Sequence, residues 1–399
     1  MQAIRVLNTF FTEDGRLHSE LVKGGSPFVG HEGALFEALS SVSLPENSSL
    51  LFGVDIGGES LPLVLLSGDR VVLFDICEKQ SQAATCAKCD RLASYARRIS
   101  LFHKPSDGKR VHCALIVTGN DKLKPYAVHI CQVLPLKKLA DYLRSLKIDG
   151  QSASSASWLA VDPRDSNVIL ADRIEAGLER WSRFTLDGWV NDANDEMEKL
   201  HKLGYRLYIT HEYSAAKEYC NVRYAGTSAL YGFITSSEAE NMFIYGGKQS
   251  RTRAKRLPQL EDEGWEERWF DPMAVDGSRS FKRAAFETTF GGRQLDFAIL
   301  GWGDDMRWVG KWKPKTSGVV FPSDLGKNYD MKAYHRPKAR FDTESGRARY
   351  DGTDDNPRLA AYYTLLTVAK EGMVLFTISD LYSDATSNAL IRSGAVRMF

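Results

Sequence analysis

The sequence of 399 residues lacks several features that mark particular classes of protein. It has no apolar run of about eighteen residues or more, so we expect no membrane-spanning helix. It has only six cysteines, which do not make a disulfide framework in a chain of this length. The beginning also lacks the apolar stretch and cleavage site of a signal peptide. We therefore expect a protein of the reducing cytoplasm.

The sequence also lacks an excess of positive or negative charge. Lys plus Arg total 52 and Asp plus Glu total 51, for a formal net charge of +1. Overall charge therefore predicts no particular partner, and any surface that binds nucleic acid must be a local patch. The chain also has no Gly-x-Ser-x-Gly elbow and no convincing nucleophile–base pair, so no hydrolase triad is predicted.

The cysteine spacing offers one candidate metal site. Cys86 and Cys89 form a single Cys-x-x-Cys pair, and the residues nearby that could also bind zinc are Cys77, His103, His112 and Cys113. A strong zinc signal needs two well-spaced pairs. Because this pair lies inside a helical pattern, cysteines buried in a helix are the favoured interpretation and no metal is predicted.

Apolar patterns predict a small α/β or α+β domain in residues 1–150. The runs Leu61–Leu66 and Val71–Ile76 flank a short turn with Gly and Asp, which is typical of a β-hairpin. A helical pattern over residues 84–99 follows, and then an apolar strand at Cys113–Thr118. A strand pair, a helix and a further strand are enough for a small domain in which a helix packs on a sheet.

The rest of the chain divides into two predicted parts. A small, polar seam near residues 150–156 leads into a helical pattern at about 165–203, so residues 151–203 are predicted to be a helical connector. In residues 204–399, apolar strands alternate with helices, including a helix at Leu359–Lys370. That alternation predicts a parallel sheet covered on both faces. Asp304 and Asp305, which follow one of these strands, are predicted to form a polar turn.

Four stretches of the third part carry a family resemblance. They are Leu207–Tyr219, Tyr231–Glu240, Phe286–Asp296 and Ala361–Met373. In this order they resemble elements of the Schlafen group 3-like DNA/RNA helicase family of bacteria. The resemblance implies an α/β fold class: a PD-(D/E)XK-like, restriction-endonuclease-like domain with a mixed sheet, followed by a RecA-like parallel α/β lobe. That lobe would have the fold of a P-loop NTPase.

The departures from that family bear on function. Its phosphate loop ends in Gly-Lys-Ser or Gly-Lys-Thr, and this chain contains neither tripeptide. Too few residues lie between the nuclease-like part and the strand at 206 to form another lobe, so we expect the first RecA-like lobe to be missing. Four positions where the family has an Arg or Gln also differ; they are His211, Gly291, Tyr363 and Val368. The resemblance therefore implies a pseudoenzyme without a nucleotide cofactor.

A Mg²⁺-dependent nuclease is the alternative. Aligning the hairpin with the family's nuclease core leaves Asp75 as the matched carboxylate, with Leu63 and Cys77 at the other positions. Cleavage of a phosphodiester by two metals needs converging carboxylates, which a shifted register would supply. The candidate catalytic residues are then Asp75, Glu78 and Lys79, with Glu32 or Glu37 nearby.

Basic and aromatic residues intermix in three stretches, as they do in nucleic-acid grooves. The candidate binding residues are Lys248, Arg251, Arg253, Lys255, Arg256, Arg307, Trp308, Lys311, Trp312, Arg336 and Lys338. Solvated loops balanced by acids are the competing interpretation. The leading hypothesis is a non-catalytic, helicase-derived protein that binds DNA, RNA or a partner protein, in the phage-defence or mobile-element setting that the family suggests. A pure protein scaffold remains a further alternative.

Overall fold

The computed structural model describes residues 28, 30–45, 48–56, 59–78, 81–150, 158–159, 166–237, 239, 264–303, 305–314, 357–377 and 381–398. The fold is α/β and has two compact units. The first comprises Met1–Leu170 and Glu218–Thr227, and the second comprises Ala171–Lys217 and Ser228–Phe399. Lys79 and Asp304 lie outside the described residues.

The first unit contains a mixed sheet. Its elements are α1 (Glu32–Ser40), β1 (Ser49–Ile56), β2 (Glu59–Ser67), β3 (Arg70–Glu78), α2 (Gln82–Phe102), β4 (Arg110–Thr118), β5 (Tyr126–Val128), β6 (Cys131–Pro135) and α3 (Leu139–Ser145). The strand order is β1-β2-β3-β4-β6-β5. β4 pairs in parallel with β3 and β6, and the other neighbours are antiparallel.

The predicted hairpin is confirmed as β2 and β3, and its turn passes through Gly68 in the left-handed region (φ +55°). A side chain there would also clash with the Asp149 carbonyl, so glycine is needed at this position. Alternate strand residues enter different cores, because successive side chains point to opposite faces. Phe74 packs in the core that includes residues of α1 and α3, whereas Leu73 packs with residues of α2. Both faces of the sheet are therefore covered.

The second unit contains a parallel sheet. Its elements are α4 (Ser166–Asp187), α5 (Val190–Leu203), β7 (Arg206–Thr210), α6 (Tyr213–Arg223), β8 (Tyr231–Thr235), α7 (Trp265–Trp269), β9 (Leu295–Trp302), β10 (Met306–Trp308), β11 (Trp312–Pro314), α8 (Pro357–Thr367), β12 (Ala369–Thr377), α9 (Leu381–Arg392) and β13 (Val396–Arg397). Two of these helices are divided by the boundary between the units, because residues 166–170 of α4 and 218–223 of α6 belong to the first unit. The order β13-β7-β12-β9-β8 is parallel throughout. This confirms the predicted parallel sheet, while β10 and β11 form a separate hairpin.

Two predicted elements need correction. The helical pattern at 165–203 is two helices, because Gly188 takes a positive φ of 83° and ends the first of them. The helix predicted at Leu359–Lys370 ends at Thr367, and Ala369 already pairs with Leu295 in the sheet. In the described part of the chain, no helix has both the length and the apolar character needed to cross a membrane.

Candidate functional site

The carboxyl edge of the parallel sheet is where ligands bind in open α/β folds, and in the second unit a buried polar network lies there. Asp305, just beyond β9, accepts hydrogen bonds from Ser236 Oγ at 2.7 Å and from the Tyr362 hydroxyl at 2.7 Å. Arg358 Nη1 lies 3.4 Å from the same carboxylate. Burial, reinforced by Asp305, raises the pKa of Tyr362 well above its ordinary value.

Asp305 lies in a turn just beyond β9, as the sequence predicts. Its side chain is almost fully buried, and each carboxylate oxygen is engaged by another side chain of the protein. A carboxylate held in this way ties the end of β9 to β8 and to α8. Because buried charges need such partners, this network stabilises the sheet edge rather than presenting a free acid to a ligand.

His211 occupies the same edge, at the end of β7. Its Nδ1 lies 2.9 Å from both the carbonyl oxygen and the hydroxyl oxygen of Thr377, the last residue of β12. The Thr377 hydroxyl is in turn 3.1 Å from Ser387 Oγ on α9. The imidazole is exposed, but one of its nitrogens is committed to the neighbouring strand.

Val368 and Gly291 lie at the opposite edge. Val368 immediately precedes β12, and its carbonyl accepts a hydrogen bond of 2.9 Å from Leu295 N, where β9 begins. Gly291 is in the turn that leads to β9, and its φ is +47°. β12 extends from Ala369 to Thr377, which at about 3.3 Å per residue separates the two edges by roughly 25 Å. The structure thus brings Val368 and Gly291 to one edge and leaves His211 at the other.

Tyr363 belongs to a helix and not to the sheet. It lies on α8, is mostly buried, and has a pKa raised by burial. Glu179 raises that pKa further and Arg183 lowers it, so the phenol faces residues of α4. The four positions that sequence comparison grouped as an ATP site do not converge on one pocket in the second unit.

In the first unit, the candidate nuclease residue Asp75 is in a buried ion pair. Its Oδ2 lies 2.8 Å from Arg91 Nη2, and its Oδ1 lies 3.5 Å from Lys88 Nζ and accepts a hydrogen bond of 2.7 Å from Ile76 N. Both cations belong to α2. Burial raises the pKa of the neighbouring Cys77 to about 11. The carboxylate is therefore already neutralised by protein cations.

Glu78 does not join Asp75. The two residues are three apart on β3, so strand alternation directs their side chains to opposite faces, and Glu78 is exposed at the end of the strand. Glu37 is exposed on α1. Among the residues that the structure describes, no three His, Cys, Asp or Glu side chains are grouped to hold a metal ion. Asp75 and Glu78 therefore do not converge on a common metal site.

The six cysteines are all buried, and none of them is in a disulfide. Cys77, Cys89, Cys113 and Cys131 share one apolar core of the first unit with residues of α2. Cys113 and Cys131 are direct register partners on β4 and β6. This agrees with the interpretation of Cys86 and Cys89 as buried helical residues.

Only one of the three basic stretches is described. Lys248, Arg251, Arg253, Lys255, Arg256, Arg336 and Lys338 lie outside the described residues. In the remaining stretch, Trp312 does not fit its predicted role. Its side chain is only 7% exposed, its Nε1 donates a hydrogen bond of 2.6 Å to the Thr185 carbonyl, and its ring packs 4.9 Å from that of Trp302. The buried indole is unavailable for stacking on a base.

The other three residues of that stretch are more accessible. Lys311 is exposed at the turn of the β10–β11 hairpin, while Arg307 and Trp308 are half-buried. The Arg392 guanidinium lies 5.6 Å from the centre of the Trp308 ring. Sequence reasoning missed a further aromatic residue, Trp189, which is 57% exposed. The interruption of the helical pattern at Gly188 was the signal that could have drawn attention to it.

These features define an α/β protein with a mixed-sheet unit and a parallel-sheet unit. A family model described as Schlafen group 3, DNA/RNA helicase domain matches residues 174–379, just over half of the chain, and includes all four stretches that carry the resemblance. The chain belongs to this family. Neither the curated proteins nor the solved structures contain a significant match.

Proposed function

We propose that this chain is a catalytically silent, helicase-derived protein that acts by binding nucleic acid. The proposal depends on the residues that stand at the positions matching the family's nucleotide site. Val368, where active relatives have an arginine, is 4% exposed and apolar. An arginine that stabilises the charge of phosphoryl transfer contributes several kcal/mol, and a buried valine contributes none of this.

The proposal includes a more specific assignment of the two units. We assign the second unit as a RecA-like lobe, which its wholly parallel sheet and the family match support. We assign the first unit as a degenerate restriction-endonuclease-like domain, supported by the β2–β3 hairpin followed by α2 and the parallel strand β4. Because one fold hosts many functions, the functional proposal depends on the residues and not on these fold assignments.

The nuclease alternative is not favoured. A metal site needs carboxylates that are free to bind a cation, whereas Asp75 is paired with Arg91 and Lys88. Binding is favoured because exposed cations occur on the second unit despite the near-neutral chain. Lys311 and Lys313 both lie on the β10–β11 hairpin and are exposed, and phosphate neutralisation by such residues drives nucleic-acid association.

The test has a nucleotide arm and a nucleic-acid arm. In the first, Mg²⁺-ATP binding is measured by calorimetry and hydrolysis by phosphate release, with and without single-stranded DNA. We expect neither binding nor hydrolysis. A tight, Mg²⁺-dependent nucleotide complex would overturn the catalytically silent assignment.

In the second arm, DNA and RNA binding is measured by fluorescence anisotropy over a salt series. We expect affinity to fall steeply with salt, and Lys311→Ala to reduce the slope of log affinity against log salt by about one. Lys202→Ala, which removes an exposed lysine from α5 of the same unit, is the matched control and should leave the slope unchanged. No binding to any nucleic acid would favour the protein scaffold.

A further inference from the structure

Trp189 is a large apolar side chain held at the surface of the second unit. It lies between α4 and α5, where its N donates a hydrogen bond of 2.8 Å to the Phe184 carbonyl and its carbonyl accepts one of 2.9 Å from Ala193 N. Its ring centre is 5.9 Å from that of Phe184, with 30° between the planes. The backbone and one neighbouring ring therefore position an indole that remains 57% exposed.

The turn that carries Trp189 adjoins the β10–β11 hairpin. A Cβ added at Gly188 would lie 3.4 Å from the Trp308 ring, so this glycine allows the turn to approach the hairpin closely. Trp308 is half-buried, and the next residue, Val309, is 58% exposed. We call Trp189, Trp308, Val309, Lys311 and Arg392 the Trp189 surface.

One cation lies against Trp308, and two more belong to the β10–β11 hairpin. Lys311 and Arg392 are exposed, Lys313 is exposed on the same hairpin, and the Arg392 guanidinium lies against the Trp308 ring. The acids nearest to Trp189 in sequence are Asp187 at the end of α4 and Asp192 in the first turn of α5. Cations for phosphates beside an exposed ring are the combination that single-stranded nucleic acid requires, because its bases are free to stack on aromatic side chains. A duplex keeps its base faces stacked internally.

We infer that the Trp189 surface binds single-stranded nucleic acid by stacking a base on Trp189, with phosphates held by the bordering cations. This inference rests on the proposed function and names the form of nucleic acid and the residue that contacts it. Charge complementarity favours single-stranded nucleic acid over an apolar peptide, because an apolar peptide has no negative charge to pair with the exposed lysines and arginine.

The experiment uses the full chain and labelled oligothymidylate, with a matched duplex as comparison. Base–aromatic stacking of ordinary strength predicts that Trp189→Ala weakens single-strand binding by about tenfold or more. Trp189→Phe, which keeps an aromatic ring, should recover part of this loss. Met273→Ala removes another highly exposed apolar side chain of the same unit and should bind as the wild type does. Thermal melting verifies that each variant is folded.

The outcomes separate the inference from the proposed function. If the wild type binds with strong salt dependence and the folded Trp189→Ala variant binds the single strand equally well, the stacking inference is overturned and the proposed function stands. An equal loss for duplex and single strand also overturns it, because a duplex offers no base face. If the wild type binds no nucleic acid, the proposed function fails and the inference fails with it.

Discussion

Replacing Asp75 tests whether this buried carboxylate is structural. Asp75→Ala would leave Arg91 and Lys88 without their countercharge and Ile76 N without its side-chain acceptor. Losing one partner of a buried ion pair costs about 3–5 kcal/mol. The Lys88 and Arg91 side chains retain 17% and 16% exposure, so water screens part of the loss. We therefore expect a decrease of about 3 kcal/mol in the free energy of unfolding of the first unit.

The six cysteines provide an assay for that unit alone, because all of them are buried and lie in its residue ranges. Thiol labelling against urea concentration therefore reports when the first unit opens. Glu78→Ala is the matched control, since it removes an exposed carboxylate from the same strand and should change the unfolding free energy by less than about 0.5 kcal/mol. If Asp75→Ala and Glu78→Ala had equal midpoints, the structural role assigned to Asp75 would be refuted.

This result also decides how a nuclease experiment should be designed. If Asp75→Ala unfolds the first unit, lost cleavage in that variant says nothing about catalysis. Asp75→Asn keeps an oxygen for Ile76 N and removes only the charge, so it is the more informative replacement. Mg²⁺-dependent cleavage by the wild type that disappears in folded Asp75→Asn would support the nuclease alternative and contradict the proposed function.

Two further predictions concern packing and pH. Gly372→Ala places a Cβ 2.5 Å from the Arg206 carbonyl and 2.6 Å from the Phe297 ring. We therefore expect the free energy of unfolding to fall by about 1–3 kcal/mol, measured by urea unfolding followed by tryptophan fluorescence. Gly33→Ala, whose added Cβ meets open space, is the control, and equal midpoints for the two variants would contradict the close packing at Gly372. Burial raises the pKa of Cys77 from 9.0 to about 11, so its contribution to stability is present below pH 9 and is lost as pH rises toward 11. Unfolding measured across that range should depend less on pH in Cys77→Ala, and an identical pH dependence would contradict it.

Several elements could be predicted from sequence because their signal is local. The hairpin of β2 and β3 follows from two apolar runs around a turn, and the parallel strands β7 and β8 are short segments buried along their whole length. The end of α8 could not be predicted in this way. Residues after Thr367 continue an apolar pattern that suits a helix or a strand, and pairing of Ala369 with Leu295 selects the strand.

Candidate sites were harder to predict than elements. The family resemblance predicts that Val368 replaces an arginine, but the sequence does not predict that His211 lies at the other edge of the sheet. That separation depends on strand pairing between residues more than 150 positions apart. Likewise, neighbouring lysines draw attention to Trp312 in the sequence, whereas Trp189 has no cation beside it.

The sequence by itself determined the α/β class, the main strands and the absence of a phosphate loop from this chain, because these are encoded in short-range periodicity and in residue identity. Only the tertiary structure decided which side chains are available. It paired Asp75 with Arg91, buried Trp312 against Trp302 and left Trp189 exposed. The physical reason is that the neighbours of a charge or a ring come from residues distant in sequence, and the local sequence pattern does not specify those contacts.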